Sequence, residues 1–414
     1  MRLHRLIIIV IILLGCHLPS KSQHYAKNIH IPNLPIKTLD ISADKSIFNI
    51  VEYGTARTQL HTTAVRLSTS GENLLLAYLK NNSNNIVLRY SKDGGQSWNY
   101  KLKDSLLIGN SASHISMFTL TGKTLLPKEY KKERRLANIA NRNNLILFFG
   151  GYPIKAALSL NNGLQWHKTF NRIEPSDMNV TSMIRLNDSR YMALINSGSN
   201  SLNGRHVIYK SYSTDGGLSW SHPEIAIKHN IFSIENAHVE RISYKGKKIL
   251  MIIANDLEHK TGVISISEDE GDNWSYPTEL PSFIQGDNYN ISTFDKKIFI
   301  VYRDTYGSGD KNINNPTCGD LMLWYGTYYD LKHGGKNTYR VRLADLPDID
   351  KQNHYKKNNQ IYLETPTINL LSDKKISIIA YGQWQENFPP SIRSFTIFVN
   401  RLNKLQTKYE LHKK

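Results

Sequence analysis

The residues whose chemistry stands out are carboxylates and tyrosines that precede apolar stretches of the chain. Glu235 and Asp287 open the strand-like runs IENAHVERI and GDNYNIS, and Tyr362 and Glu364 lie in IYLETP. Tyr362 and Glu364 are two residues apart, so they would share one face of a strand. Carboxyl and tyrosyl groups can donate and accept protons, which makes these four residues candidates for acid–base catalysis. Further candidates for binding a substrate are Asp177, Tyr289, Arg303, Asp304 and Arg57.

Residues so far apart in sequence need a scaffold that brings them together, and an internal repeat indicates one. The pattern Ser-x-Asp-x-Gly-x-x-Trp, known as the Asp box, occurs as SKDGGQSW, STDGGLSW and SEDEGDNW, with a degenerate copy SLNNGLQW. Asp accepts hydrogen bonds from nearby backbone N–H groups, and Gly permits positive φ, so each copy predicts a tight hairpin turn. We expect the four tryptophans of these turns to be buried under the hairpins; they are Trp98, Trp166, Trp220 and Trp274.

A second repeat lies between the Asp boxes. A strand, a short polar turn and a strongly apolar strand recur six times, at residues 62–78, 136–149, 180–194, 237–253, 290–301 and 365–380. Repeats of roughly 50 residues with about four strands are typical of propeller blades. The sequence therefore predicts an all-β, six-bladed β-propeller whose last two blades lack an Asp box. We place the propeller at residues 46–405, after a lead-in at 16–45 and before a tail at 406–414.

The N-terminus has the pattern of an export signal. Arg2 and Arg5 precede the apolar run Leu6–Leu14, which is too short to span a bilayer as a stable helix. The run ends in Leu-Leu-Gly-Cys, which resembles the lipobox of bacterial lipoproteins, with cleavage after residue 15 and lipid on Cys16. An ordinary signal peptide is the alternative. Both interpretations predict an exported protein, and the first adds a membrane partner reached through the lipid anchor.

Composition excludes several other classes of function. The formal net charge is +17, but the lysines are scattered and no nucleic-acid-binding motif accompanies them, so we expect no nucleic-acid partner. The histidines show no metal-ligand spacing, and we expect neither a metal site nor a cofactor. The chain has two cysteines, Cys16 and Cys318, so an internal disulfide framework is not expected.

Asp boxes on six blades resemble the sialidase (neuraminidase) superfamily, over roughly residues 62–398. Within that stretch MIRLNDSRYMAL, YSTDGGLSW, FIVYRD, WYGTYYD and YRVRL resemble bacterial sialidase-like exo-glycosidases. The resemblance implies a site at one end of the central channel, where a Tyr nucleophile works with a Glu and an Asp acid/base. The family's Glu falls on Glu235, and its Tyr falls on Tyr362 with Glu364 beside it.

The sequence departs from the family at its arginines. The family clamps the sugar carboxylate with three arginines, but two of those positions fall near Ala254 and Asn288, and Arg57 is out of register with the third. The leading hypothesis is an exported glycoside hydrolase that releases a terminal sugar from glycans. The alternatives are a non-catalytic glycan-binding propeller, and a lyase or hydrolase acting on a neutral or uronic terminal sugar.

Overall fold

The structure is a computed structural model. It describes residues 27–29, 31, 34, 36–54, 62–67, 71–79, 85–98, 106–107, 114–123, 125–138, 143–150, 153–168, 173, 179–197, 202–294, 296–306, 315–334, 338–347, 363–372, 374–385 and 388–404. Within these residues, no helix has the length and apolar character needed to cross a bilayer.

The chain folds into a six-bladed β-propeller. Three strands precede the first blade: β1 (Lys27–Ile29), β2 (Lys37–Asp40) and β3 (Phe48–Tyr53). Blade one contains β4 (Thr62–Arg66), β5 (Leu74–Leu79), β6 (Asn85–Ser91) and β7 (Leu106–Leu107). Blade two contains β8 (Ile115–Leu120), β9 (Asn144–Phe149), β10 (Lys155–Ser159) and β11 (His167–Lys168). Blade three contains β12 (Val180–Arg185), β13 (Tyr191–Asn196), β14 (Ile208–Ser213) and β15 (Glu224–Ile227).

The remaining blades follow the same order. Blade four contains β16 (Ile234–Tyr244), β17 (Lys247–Asp256), β18 (Thr261–Ser267) and β19 (Thr278–Glu279). Blade five contains β20 (Gly286–Phe294), β21 (Lys297–Asp304), β22 (Leu321–Gly326) and β23 (Tyr339–Ala344). Blade six contains β24 (Thr367–Ser372), β25 (Lys375–Gly382) and β26 (Ser391–Phe398). The described helical elements are α1 (Lys131–Ala137), α2 (Tyr328–Lys332), a helix at 399–404, and 3₁₀ turns at Lys45–Ile47 and Ser282–Ile284.

The N-terminal strands close and extend the propeller. β3 pairs antiparallel with β26, so the outermost strand of blade six comes from the opposite end of the chain to its other three. This pairing closes the ring with backbone hydrogen bonds between segments more than 300 residues apart. β2 pairs in parallel with β23 and antiparallel with β1, so part of the predicted lead-in forms the edge of blade five.

The second strand of each blade explains the strongly apolar segments of the sequence. β5, β9 and β13 are buried at every position. Both faces of these strands pack against neighbouring blades, so their side chains are apolar on both faces instead of alternating. The burial of these strands places the hydrophobic core between the blades.

The Asp boxes form the expected turns and also join neighbouring blades. In each box the first Ser accepts a hydrogen bond from the Gly N–H at 2.8–2.9 Å, and the Asp or Asn accepts the N–H four residues later at 2.9 Å. The Gly itself faces the preceding blade: a Cβ on Gly217 would lie 3.0 Å from Ile146 Cδ1, and one on Gly271 would lie 2.8 Å from Met192 Sδ. Trp98 is buried, whereas Trp166, Trp220 and Trp274 are only partly buried, so the expectation of four buried tryptophans was wrong for three.

Blade two departs from the predicted strand pair at residues 136–149. Its innermost strand is β8, and Leu136 and Ala137 end helix α1. The helix lies in a long connection between β8 and β9. Its last residues are apolar, so the sequence pattern there resembles the beginning of a strand. The strand pairs predicted for the other five blades correspond to the two inner strands of those blades.

Candidate functional site

The innermost strands of the six blades enclose a central channel. Each of β4, β8, β12, β16, β20 and β24 contacts the innermost strands of both neighbouring blades, which closes the ring. The cavity that they line has a volume of about 800 Å³. All six strands run in one direction, so their first residues surround one end of the channel. We call this end the mouth and define it by Thr62, Asn179, Glu235, Asn288 and Glu364, all of which line the cavity.

Glu235 reaches the mouth because β16 contains a bulge. The register between β16 and β17 shifts between Glu235 and His238, and Asn236 adopts a left-handed φ of +53°. Asn236 is held by Asn196 of blade three: its Oδ1 accepts the Asn196 Nδ2–H at 2.9 Å, and its N–H donates to Asn196 Oδ1 at 2.8 Å. This reciprocal pair fixes the backbone beside Glu235.

Glu364 is placed by a second bulge of the same kind in β20. Asn288 has a φ of +52° and lies at the register shift between Asp287 and Asn290. Its Nδ2 donates to the carbonyl oxygen of Leu363 at 2.6 Å, and its Oδ1 accepts the Thr365 hydroxyl at 3.5 Å. Leu363 and Thr365 are the neighbours of Glu364 in the sequence, so Asn288 of blade five fixes the segment that carries the Glu364 carboxylate.

The environment of Glu235 favours its protonated form. Burial raises the pKa of Glu235, and His206 opposes part of that rise. Among the described residues its carboxylate has no hydrogen-bond partner. Desolvation is therefore the cause of the raised pKa of Glu235. A carboxyl group whose pKa is raised keeps its proton to a higher pH, which favours its action as a proton donor.

Asp287 and Arg303 form an ion pair beside the mouth. They are opposite each other on β20 and β21, and the Arg303 guanidinium donates from Nε to Asp287 Oδ1 at 2.7 Å and from Nη2 to Asp287 Oδ2. Arg303 lines the cavity, whereas Asp287 does not. Glu235, Glu364 and Arg303 therefore line one cavity. Asp287 does not line it, but it is bound to Arg303, which does.

Two of the predicted binding residues lie in the protein interior. Tyr289 is fully buried, its ring is 5.8 Å from that of Tyr302, and its hydroxyl donates to Ile284 O at 2.8 Å. Because the bulge at Asn288 shifts the alternation of β20 by one residue, Tyr289 faces the core and does not line the channel.

Asp304 is also fully buried, so its assignment to substrate binding is wrong. It pairs with buried Arg340 and accepts hydrogen bonds from Thr317 Oγ1 at 2.6 Å and Asn315 Nδ2 at 3.0 Å. These contacts anchor the connection between β21 and β22, which gives Asp304 a structural role. Four other predicted residues fall outside the described residues: Cys16, Arg57, Asp177 and Tyr362.

The channel interior contains two ionisable residues that the sequence analysis did not select. His238 and Glu240 lie two residues apart on β16 and line the cavity below Glu235. Burial lowers the pKa of His238 to about 4 and raises the pKa of Glu240 to about 7. Thr293 donates to Glu240 at 3.3 Å. The polar residues at alternate positions in AHVE were the available signal. No cluster suited to a metal ion occurs in the described part of the chain.

Comparison with known proteins agrees with this architecture. Residues 80–282 match the BNR repeat-like domain, and the match runs from just before β6 of blade one to the end of blade four. The matched residues make up slightly less than half of the chain, and they lie within the six-bladed β-propeller. Its structure resembles that of a protein of unknown function from Dyadobacter fermentans, with a TM-score of 0.58 and 12% identity over 85% of this chain and 99% of that one. No curated protein sequence matches the chain.

Two sialidases are also among the similar structures. The Hadza microbial sialidase Hz136 has a TM-score of 0.48 and 12% identity over 86% of this chain and 66% of its own length. The Trypanosoma rangeli sialidase in complex with sialic acid has a TM-score of 0.47 and 11% identity over 94% of this chain and 61% of its own length. The present chain thus spans slightly less than two thirds of either sialidase.

Proposed function

We propose that this protein hydrolyses the bond that links a terminal sugar to a glycan, at the mouth of its channel. The observation that carries the proposal is the placement of Glu235, with its raised pKa, on the same cavity as Glu364. One carboxylic acid that retains its proton and a second carboxyl group nearby are the pair that glycosidic hydrolysis requires.

Each group has a defined part in this proposal. Glu235 donates a proton to the oxygen of the leaving group, which makes departure of the aglycone easier. Glu364 and Tyr362, which precedes it by two residues in the sequence, supply the nucleophile: the tyrosine attacks the anomeric carbon, and the glutamate takes up its proton. Water then attacks the same carbon and gives a proton to Glu235, while the tyrosine leaves and recovers its proton from Glu364. Asn236 and Asn288 hold the backbone on which the two glutamates are carried.

The arginines favour a terminal sugar that carries no carboxylate. Among the described residues, the arginines that line the cavity are Arg66 and Arg303. Arg66 donates to Leu370 O at 2.8 Å, at the far end of the channel, and Arg303 is bound to Asp287. An arginine already paired with a carboxylate is a weak clamp for the carboxylate of a substrate. This supports a neutral terminal sugar over sialic acid.

A second candidate is glycan binding without hydrolysis. It is favoured by the same Asp287–Arg303 pair, because sialidase-like catalysis uses free arginines that these described positions do not provide. We also propose that the protein is exported and carries lipid on Cys16, on the strength of the N-terminal pattern.

A screen with aryl glycosides of neutral and acidic sugars tests the proposal. We expect a neutral glycoside to be cleaved, and Glu235→Gln and Tyr362→Phe to lower kcat by about a hundredfold or more. Glu279→Gln, at an exposed position on β19, is the control and should keep the full rate. In addition, Glu235→Gln should remove the loss of activity at alkaline pH that ionisation of Glu235 causes.

The outcome separates the two candidates. If the wild type cleaves a glycoside and the variants of the mouth keep nearly the full rate, the assigned site is wrong. If the wild type cleaves nothing but binds glycans, the binding function is the correct one.

A further inference from the structure

Four aromatic rings form a continuous row on blade four, outside the channel. Tyr276 lies 4.3 Å from His229, His229 stacks on Phe232 at 4.1 Å with the ring planes 13° apart, and Phe232 meets the edge of His259 at 5.8 Å. We call these four residues the ring track. Tyr276 at its outer end has 63% of its surface exposed. His259 is at the other end, and Phe232 between them is three residues before Glu235, so the track runs from the edge of the blade to the segment that leads into β16.

The track is held rigidly by the backbone. His229 lies in the segment that crosses from β15 to β16, and its Nδ1 accepts the N–H groups of Ile231 and Phe232, both at 3.0 Å. On the other side, buried Asp256 accepts the Ser233 N–H at 2.9 Å and pairs with His259 Nδ1. Rings that are fixed before binding lose little conformational entropy when a ligand stacks on them.

Both histidine rings of the track are bound to the protein through Nδ1. Because Nδ1 of His229 accepts two hydrogen bonds, its proton must be on Nε2 when the ring is neutral. Burial lowers the pKa of His229, which keeps the ring neutral. Nδ1 of His259 is bound to Asp256, so Nε2 is the ring nitrogen that a ligand can reach on a side chain that is 42% exposed. Within the described residues, neither Nε2 has a protein partner.

Two ion pairs lie beside the track. Arg205 pairs with Glu258, and Asp256 pairs with His259. Lys228, which precedes His229, is exposed. Partly exposed aromatic rings with a polar edge fit a sugar ring, which presents C–H groups on its face and hydroxyls around its edge.

We propose that the ring track binds the neutral oligosaccharide chain of a glycan whose terminal sugar occupies the mouth. The orientation of the glycan, with its terminal sugar in the mouth, rests on the proposed function. The inference adds the substrate class, which is a neutral chain of several sugar units. Stacking on Tyr276 and Phe232 holds the chain, and the exposed edge of His259 bonds to its hydroxyls. His229 is buried and supports the two rings that it contacts.

Equilibrium binding of neutral hexasaccharides tests the inference without requiring hydrolysis. Calorimetry with hexamers of glucose, mannose, galactose and N-acetylglucosamine, and with one sialylated hexamer, compares the wild type with Tyr276→Ala and Tyr276→Phe. Tyr329→Ala is a matched control, because Tyr329 is 64% exposed and its ring lies 4.1 Å from His333 on blade five. Repeating the measurement in Glu235→Gln prevents consumption of the ligand.

We expect Tyr276→Ala to bind a neutral hexamer about tenfold more weakly, while its affinity for the monosaccharide is unchanged. Tyr276→Phe and Tyr329→Ala should bind the hexamer like the wild type. Equal affinity of Tyr276→Ala and the wild type, or binding of the sialylated hexamer alone, overturns the inference. Failure of every hexamer to bind the wild type also overturns it, whereas absence of aryl glycoside cleavage affects only the proposed hydrolysis at the mouth.

Discussion

The glycines of the Asp boxes provide a quantitative test of how the blades are joined. Gly271 of blade four has a φ of +89°, and a Cβ at this position would lie 2.8 Å from Met192 Sδ of blade three. Replacing it with Ala therefore has two costs. The left-handed backbone costs a residue with a Cβ about 1–2 kcal/mol, and forcing an extra methyl group into the packed contact with Met192 costs about 1–3 kcal/mol.

Gly246 separates the two costs. It belongs to the same blade, has a φ of +77°, and a Cβ there would meet nothing within 4 Å. Gly246→Ala should lower the free energy of unfolding by about 1–2 kcal/mol through backbone strain alone. Gly271→Ala should lower it by about 2–5 kcal/mol, which is the sum of strain and steric overlap.

Urea unfolding followed by tryptophan fluorescence measures the difference, and Trp274 in the same hairpin is a convenient reporter. A double variant strengthens the test: in a Met192→Val background, which shortens the opposing side chain, Gly271→Ala should cost about as much as Gly246→Ala. If Gly271→Ala and Gly246→Ala are equally destabilising in the wild-type background, the Asp box is a turn only, and it does not set the distance between blades.

Three further predictions concern an Asp-box turn, the channel and the N-terminal sequence. Asp215→Ala should destabilise the protein by about 1–2 kcal/mol in urea, because Ser213 Oγ and the Ser219 N–H each donate to its carboxylate at 2.9 Å, and glycoside hydrolysis should keep its rate. Glu240→Gln should stabilise the protein at alkaline pH. The pKa of Glu240 is about 7 in the folded protein, against an ordinary value of 4.5. The protonated side chain therefore contributes fully to the stability of the protein below pH 4.5, and this contribution is lost as the pH rises through 7. That pKa difference corresponds to about 3 kcal/mol, and we expect about 1–2 kcal/mol at pH 8 because the side chain borders the channel, with no gain at pH 4. Cys16→Ser should release the protein from the membrane fraction on centrifugation; retention there at the wild-type level would contradict lipidation.

Local chemistry made the fold predictable from the sequence. An Asp box is a turn within which Ser, Asp and Gly interact across two to four residues, so its structure follows from the order of those residues. Apolar strand pairs repeated between the boxes reveal the blades, since a strand packed on both faces has to be apolar throughout. Blade two was the exception, because helix α1 is inserted where the second half of the pattern was expected.

The candidate site was predictable only in part. Glu235 and Glu364 line the cavity because residues at the starts of inner strands must surround one end of a propeller. The neighbouring Tyr289 does not, because Asn288 takes a left-handed conformation and the strand shifts by one residue. No local pattern distinguishes a bulged strand from a regular one, so which side chain faces the channel could not be deduced.

The sequence by itself determined the six blades and the direction of their inner strands, since turns and strand pairs depend on residues that are close along the chain. Only the tertiary structure decided which polar residues are accessible. Asp304 is buried because Arg340, 36 residues away, pairs with it, and Asp287 is bound to Arg303 across a strand pair. Glu240 keeps a raised pKa because several blades together remove water from around it. Charge pairing and desolvation depend on distances through space, and those distances exist only after the chain has folded.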